Sequence, residues 1–179
     1  MALNIDRLII TTDETARAYL KRAYDIAWNR SSDNKTKTGA VIVSPFKNYI
    51  SKEISNGYNH LTPGVENIPE WSERPLKYTG TVHAETDAIS KAAKNGARLE
   101  DSIMYMPWIP CTLCYIIIKN SGIKMLVAHK EMVLMSPPHW EEDLNRTIFL
   151  AERSKFPIIL YEGKIGGVKS LFDGKVWEP

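Results

Sequence analysis

VHAETDAISKAAKNGARLEDSIMYMPWIPCTLCYIIIKNSGIKMLVA, residues 82–128, decides the fold. Two helical stretches alternate in it with two short apolar ones. The first helix runs from about Val82 to Asn95 and is closed by Gly96, the residue type that most readily takes the left-handed turn ending a helix. Ile103 to Met106 reads as a short buried strand. A second helix runs from about Cys111 to Ser121, closed by Gly122, and Met125 to Ala128 follows as another strand.

Upstream, Thr11 starts a helix with Glu14 as its capping-box partner. Ala16, Tyr19, Leu20, Ala23, Ile26 and Ala27 recur at helical spacing as far as Arg30. The polar run Ser31 to Lys37 ends it. Gly39 to Ser44 and Tyr49 to Tyr58 read as two strands hinged around Pro45 to Asn48. Asn59 to Tyr78 holds three prolines and reads as a long loop, a kind of segment that is usually functional or mobile. Downstream come a helix from Trp140 to Ser154 and a strand from Pro157 to Tyr161. Gly163, Gly166, Gly167 and Gly174 then predict tight turns or a hairpin. Alternating strands and helices imply an α/β fold with a partly parallel sheet. One domain over 1–179 is expected, with a glycine-rich extension at 162–179.

Composition narrows the class. A 44% hydrophobic share is enough for a sizeable core. No stretch approaches the roughly 20 apolar residues of a membrane span, and no secretory signal is visible, so a cytoplasmic protein is expected. A net charge of +2 argues against a broad nucleic-acid surface. Residues 17–52 are locally basic, with eight basic side chains against Asp25 and Asp33. That bias is either a solvated face or a site for one phosphate group.

The two cysteines, Cys111 and Cys114, form a C-x-x-C. Neighbours this close make a poor structural staple and point to metal or redox chemistry. His83 and Glu85 open one predicted helix, and Pro110 and Cys111 open the other. H-x-E followed by P-C-x-x-C is the signature of the zinc deaminases. One imidazole and two thiolates suit Zn2+, one ion per chain, and three ligands leave a fourth position for water, the catalytic arrangement. Both cysteines lie at a helix N-terminus, which favours thiolate. Glu85 is placed to take a proton from that water, give it to a ring nitrogen, and protonate the departing amine. A closed zinc site or a redox dithiol is the alternative without catalysis.

Further motifs carry a resemblance. Asn29-Arg30-Ser31-Ser32-Asp33 followed by Thr38-Gly39-Ala40-Val41-Ile42-Val43, then Gly57-Tyr58-Asn59, Arg74-Pro75-Leu76-Lys77-Tyr78 and Met104-Tyr105-Met106-Pro107-Trp108, resemble the deoxycytidylate (dCMP) deaminases of the cytidine deaminase-like superfamily. The resemblance implies a three-layer α/β/α sandwich on a mixed, roughly five-stranded sheet. It implies a hydrolase converting dCMP to dUMP with release of ammonia, feeding dTMP supply, and a homo-oligomer, a hexamer in the family. By the same resemblance Asn59 hydrogen-bonds sugar or base, the backbone at Ala84 meets the base edge, and Arg30, Ser32 and Lys35 lie near the phosphate.

Two departures stand out. His60-Leu61-Thr62-Pro63-Gly64 replaces the usual residues after G-Y-N, the region through which dCTP and dTTP act as effectors in many members. Ala128-His129-Lys130 replaces a tyrosine that packs on the base, a place Trp108 or Trp140 can take, although core packing is the ordinary use of tryptophan. The rival functions are a deaminase of free cytosine, guanine, a nucleoside or a tRNA adenosine, and a non-catalytic zinc-binding regulatory protein.

Overall fold

A computed structural model describes residues 3–44, 52–73 and 75–179. In chain order the elements are β1 (Ile9–Thr11), α1 (Glu14–Arg30), β2 (Gly39–Val43), β3 (Glu53–Tyr58), β4 (His60–Leu61), α2 (Leu76–Gly80), β5 (Thr81–Val82), α3 (Ala84–Lys94), β6 (Ile103–Tyr105), α4 (Thr112–Asn120), β7 (Met125–His129), α5 (Lys130–Leu134), α6 (Pro138–Arg153), β8 (Ile158–Tyr161), β9 (Ser170–Phe172) and β10 (Lys175–Trp177).

Six strands form one mixed sheet in the order β1-β8-β7-β6-β2-β3. The contacts β1–β8, β8–β7 and β7–β6 are parallel, whereas β6–β2 and β2–β3 are antiparallel. Side chains of a strand point alternately to the two faces, and here both faces are covered. Ala40, Ile42, Met104, Leu126 and Leu160 share one core with buried side chains of α3, α4 and α6. Val41, Val43, Tyr105, Val127 and Tyr161 share the other with Leu20, Ala23 and Tyr24 of α1. This is the α/β/α layering expected. Each fully buried Leu or Ile in it contributes about 1.5–3 kcal/mol before entropy is counted.

Several expectations shift. The sheet has six strands rather than about five, because Ile9–Thr11 forms β1 against β8. Thr11 therefore ends a strand, and α1 is capped instead by Asp13, whose carboxylate accepts from Ala16 N at 3.0 Å. The supposed loop 59–78 holds β4, a 3-10 turn at Pro69–Ser72 and α2. The short α5 follows β7 with no sequence signal read for it. Pro45–Asn48, Tyr49 to Ser51 and Arg74 lie outside the described residues. No helix among the described residues is long and apolar enough to cross a membrane.

Candidate metal centre and substrate cavity

The N-termini of α3 and α4 converge on the face of the sheet covered by α3, α4 and α6. His83 is the N-cap residue of α3, and Cys111 is the N-cap residue of α4, with Cys114 one turn in. Neither side chain makes an N-cap hydrogen bond, and both contribute a donor atom to one cluster.

What holds α3 in place is its contact with β3. A Cβ at Gly57 would lie 2.2 Å from Ala84 O and 2.4 Å from Ala88 N, so only glycine lets the helix come this close. Ser55 Oγ donates to Ala88 O at 2.7 Å, and Tyr58 N donates to the Asp87 carboxylate at 3.1 Å. The start of α4 is pinned from α6, where Asp143 accepts from Thr112 N at 2.9 Å and Thr147 Oγ1 donates to Pro110 O at 3.1 Å.

His83 Nδ1 lies 3.3 Å from Cys114 Sγ and 3.6 Å from Cys111 Sγ. All three donor atoms fall within 4.8 Å of one another, the one such group among the described residues. Bonds of about 2.1 Å to nitrogen and about 2.3 Å to sulfur at a tetrahedral angle set a nitrogen–sulfur separation of about 3.6 Å. The two measured separations fit zinc, and a set of three protein donors matches the number used at catalytic sites.

Proton affinities in the cluster are strongly split. The hydrogen bond with Cys111 raises His83 to about 9, against the effect of burial. Hydrogen bonds from Cys114 and then His83 drive Cys111 down to about 4. The same Cys111–Cys114 bond pushes Cys114 up, with burial adding to it. Such mutual competition is what a shared cation relieves, because it satisfies both sulfurs and Nδ1 at once. Glu85, the second residue of α3, is only 4% exposed, and burial pushes its carboxyl up against the pull of nearby His83.

A cavity of about 400 Å³ opens onto this cluster, and His83, Glu85 and Cys111 form part of its wall. One side carries a run of aromatic rings. Phe172 meets Trp108 edge to face at 5.3 Å, Trp108 meets Trp140 at 5.5 Å, and Trp140 meets Tyr78 at 5.6 Å. All four rings line the cavity. Another side is the segment 33–38 with Lys77 of α2.

Asn59 also lines the cavity, as a brace. Its Oδ1 accepts from Ser31 Oγ at 2.6 Å and from Thr38 N at 2.9 Å. Its Nδ2 donates to Thr36 O at 2.7 Å and to the Asp33 carboxylate at 3.3 Å. These four bonds use the whole hydrogen-bonding capacity of the amide. Asp33 in turn accepts from Lys35 N, Thr36 N and Lys77 Nζ, the last at 2.8 Å.

The remaining expected residues are spread out. Lys35 is exposed and on the cavity wall. Arg30, the exposed last residue of α1, is not on that wall. Ser32 lines a smaller neighbouring cavity of about 270 Å³ that shares Asp33 and Lys77 with the first. Ala84 is fully buried with its carbonyl against Gly57. His129, in the place of the absent tyrosine, is buried on the other side of the sheet against Tyr24.

Lys77, Tyr78 and Phe172 are among the wall residues to which the sequence assigned no role. The first two lie in the quoted Arg74–Tyr78 run, so a signal existed for them. Phe172 lies in the glycine-rich stretch and had none.

Residues 13–130 match the family model of the cytidine and deoxycytidylate deaminase zinc-binding region. The chain is 39% identical over 75 residues to the deoxycytidylate deaminase of Enterobacteria phage T2, covering 42% of this chain and 37% of that one. It is 32% identical over 120 residues to the Homo sapiens deoxycytidylate deaminase, covering 64% of this chain and 61% of that one. It thus spans between about a third and three-fifths of the length of these relatives. The fold is similar to the dCMP deaminase of cyanophage S-TIM5 solved with dCMP and dUMP. That TM-score is 0.60 at 19% identity, over 84% of this chain and 98% of that one. With the family model matched over residues 13–130, more than half of its length, the chain belongs to the cytidine and deoxycytidylate deaminase family.

Proposed function

We propose that the protein is a zinc-dependent hydrolase that deaminates dCMP to dUMP and releases ammonia. The observation that carries this reading is the buried Glu85 carboxyl beside a three-donor zinc set on the wall of a cavity that also presents Lys35 and Lys77. The relatives named deoxycytidylate deaminase support it.

His83, Cys111 and Cys114 would hold the metal. Zinc bound there supplies Lewis acidity, making water a competent nucleophile near neutral pH. Glu85 accepts the proton of the attacking water and passes it to the ring nitrogen beside the amine-bearing carbon. It then takes the remaining proton from the hydroxyl now bonded to that carbon and gives it to the amine, so that the C–N bond breaks, a carbonyl forms and ammonia leaves. Burial of Glu85 suits this double duty, since a raised proton affinity lets one carboxyl both take and return a proton. Trp108 and Trp140 offer ring faces and edges to the base. Lys35 and Lys77 supply the positive charge for the phosphate, Lys77 by exchanging Asp33 for it.

A second reading is favoured by the charge of the wall. Asp33, Glu73 and Asp173 line the same cavity as the two lysines, which suits an unphosphorylated nucleoside. A substrate panel separates the two. Ammonia release by the zinc-loaded protein is followed with dCMP, CMP, dCTP, deoxycytidine, cytosine and guanine. The expected result is dCMP preferred over deoxycytidine by about ten-fold or more in kcat/KM. Changing Lys35 and Lys77 to alanine should erase that preference and leave deoxycytidine turnover unchanged. Activity confined to unphosphorylated compounds supports the second reading instead.

A further inference from the structure

The hairpin β9–β10 lies beyond the last sheet strand and beyond the span matched by the family model. Its turn, Asp173-Gly174, has positive φ at both residues, 48° and 75°, the geometry of a tight two-residue hairpin. It reaches across to the cavity. Phe172 is buried and forms part of the wall, edge to face with Trp108. Trp108 is also held by its indole N–H, which donates to Ser136 Oγ at 2.7 Å. The ring therefore has Phe172, Trp140 and Ser136 as partners, and the first of them belongs to the hairpin.

The hairpin is also bonded to the segment that carries Lys35. Lys37 N donates to Leu171 O at 2.9 Å, and Gly174 N donates to Lys35 O at 2.7 Å. Asp173 N donates to Thr36 Oγ1 at 3.1 Å. At its far end, Trp177 stacks on His129 of β7 with planes 2° apart. One small element thus ties the sheet to both the aromatic wall and the lysine-bearing segment.

We propose that this hairpin is a positioning element of the substrate site, with Phe172 setting the ring of Trp108 and the hairpin backbone setting Lys35 to Lys37. The proposal rests on the deaminase reading. It assigns no proton or metal chemistry to the hairpin, none of whose residues belongs to the donor group of His83, Cys111 and Cys114. Loss of Phe172 should therefore weaken substrate binding and spare the chemical step.

The test compares Phe172→Ala, Phe172→Leu and Phe172→Tyr with the unmodified full chain, each zinc-loaded, by kcat and KM for dCMP, zinc content and thermal midpoint. Phe172→Leu keeps an apolar side chain in the buried place and loses the ring, so it serves if the alanine variant does not fold. The expected result is KM raised about ten-fold in the alanine and leucine variants, with kcat nearly unchanged and zinc retained. The tyrosine variant, which keeps the ring, should restore KM. If the unmodified chain is active and the leucine variant matches it in both parameters, the hairpin proposal is overturned and the deaminase reading stands. If KM stays raised in the tyrosine variant as well, bulk packing and not the ring is responsible, and the proposal also falls. If the unmodified chain turns over no member of the substrate panel, the deaminase reading fails and takes the hairpin proposal with it.

Discussion

Glu85 and Asn59 show how differently two buried polar residues of one cavity can be used. Glu85 stands two positions from His83 and is not itself in the group of possible metal donors. Replacing it with glutamine keeps the volume and removes the proton acceptor. Zinc content should stay the same while turnover falls by about 100- to 10,000-fold, the usual range for a general acid–base group. Zinc analysis alongside ammonia release checks this, and a variant of undiminished activity would rule out the proton-shuttle role. Asn59 acts through packing, because its amide satisfies Ser31, Thr36, Thr38 and Asp33 together. Asn59→Ala leaves several of those partners unpaired in a mostly buried place, which costs about 1–3 kcal/mol. The urea midpoint should drop accordingly, and KM should rise because the segment bearing Lys35 loses its brace. An unchanged midpoint would mean that water replaces the amide without cost.

At the level of elements, the sequence was most legible where period and caps agree. Gly96 and Gly122 both have positive φ, at 66° and 88°, and close α3 and α4 as their type predicts. The zinc motif was legible because its chemistry restricts residue type as well as spacing. β1 was not, since Ile9 and Ile10 lie at the sheet edge, largely exposed, and three residues carry no period. The wall residue Phe172 was hidden for another reason. Its place comes from a long-range contact, with Trp108, that no local pattern encodes. Gly57 shows the same limit. It was read as part of a motif, whereas its physical role is the close approach of β3 and α3. Gly57→Ala would set a methyl against two backbone atoms of α3, which cannot turn aside. The helix must move by about 1 Å, a displacement able to cost about a hundred-fold in rate, with roughly 1–3 kcal/mol of overpacking strain. Activity should fall well beyond what the stability loss explains, as kinetics and urea denaturation on the same sample would show. A variant of normal rate would place the register of α3 under other control.

Across the whole molecule, His129 connects the sheet to the residues after β8. Its Nε2 faces Gly163 O at 3.1 Å, and a carbonyl can only accept, so the proton is on Nε2. Nδ1 therefore accepts from the Tyr24 hydroxyl, 2.8 Å away on α1. The neutral ring thus joins α1, β7 and the post-β8 segment, with Trp177 stacked on it. Burial holds its proton affinity below the usual 6.5, outweighing the Gly163 bond and Glu131, which act the other way. The unfolded chain, with an ordinary imidazole, takes up a proton that the folded one resists. The stability from this group is therefore present in full above about pH 6.5 and is lost as pH falls from there to the depressed folded-state value. His129→Phe keeps a ring under Trp177 and removes the titration. Thermal midpoints measured between about pH 7.5 and pH 5 should fall less steeply for the variant than for the unmodified chain, even if the variant starts lower. Parallel curves would mean that the ring takes its proton as readily folded as unfolded. A difference between the curves, with KM for substrate rising in the same acidic window, would place the weak point of the cavity wall at the hairpin's anchor on the sheet.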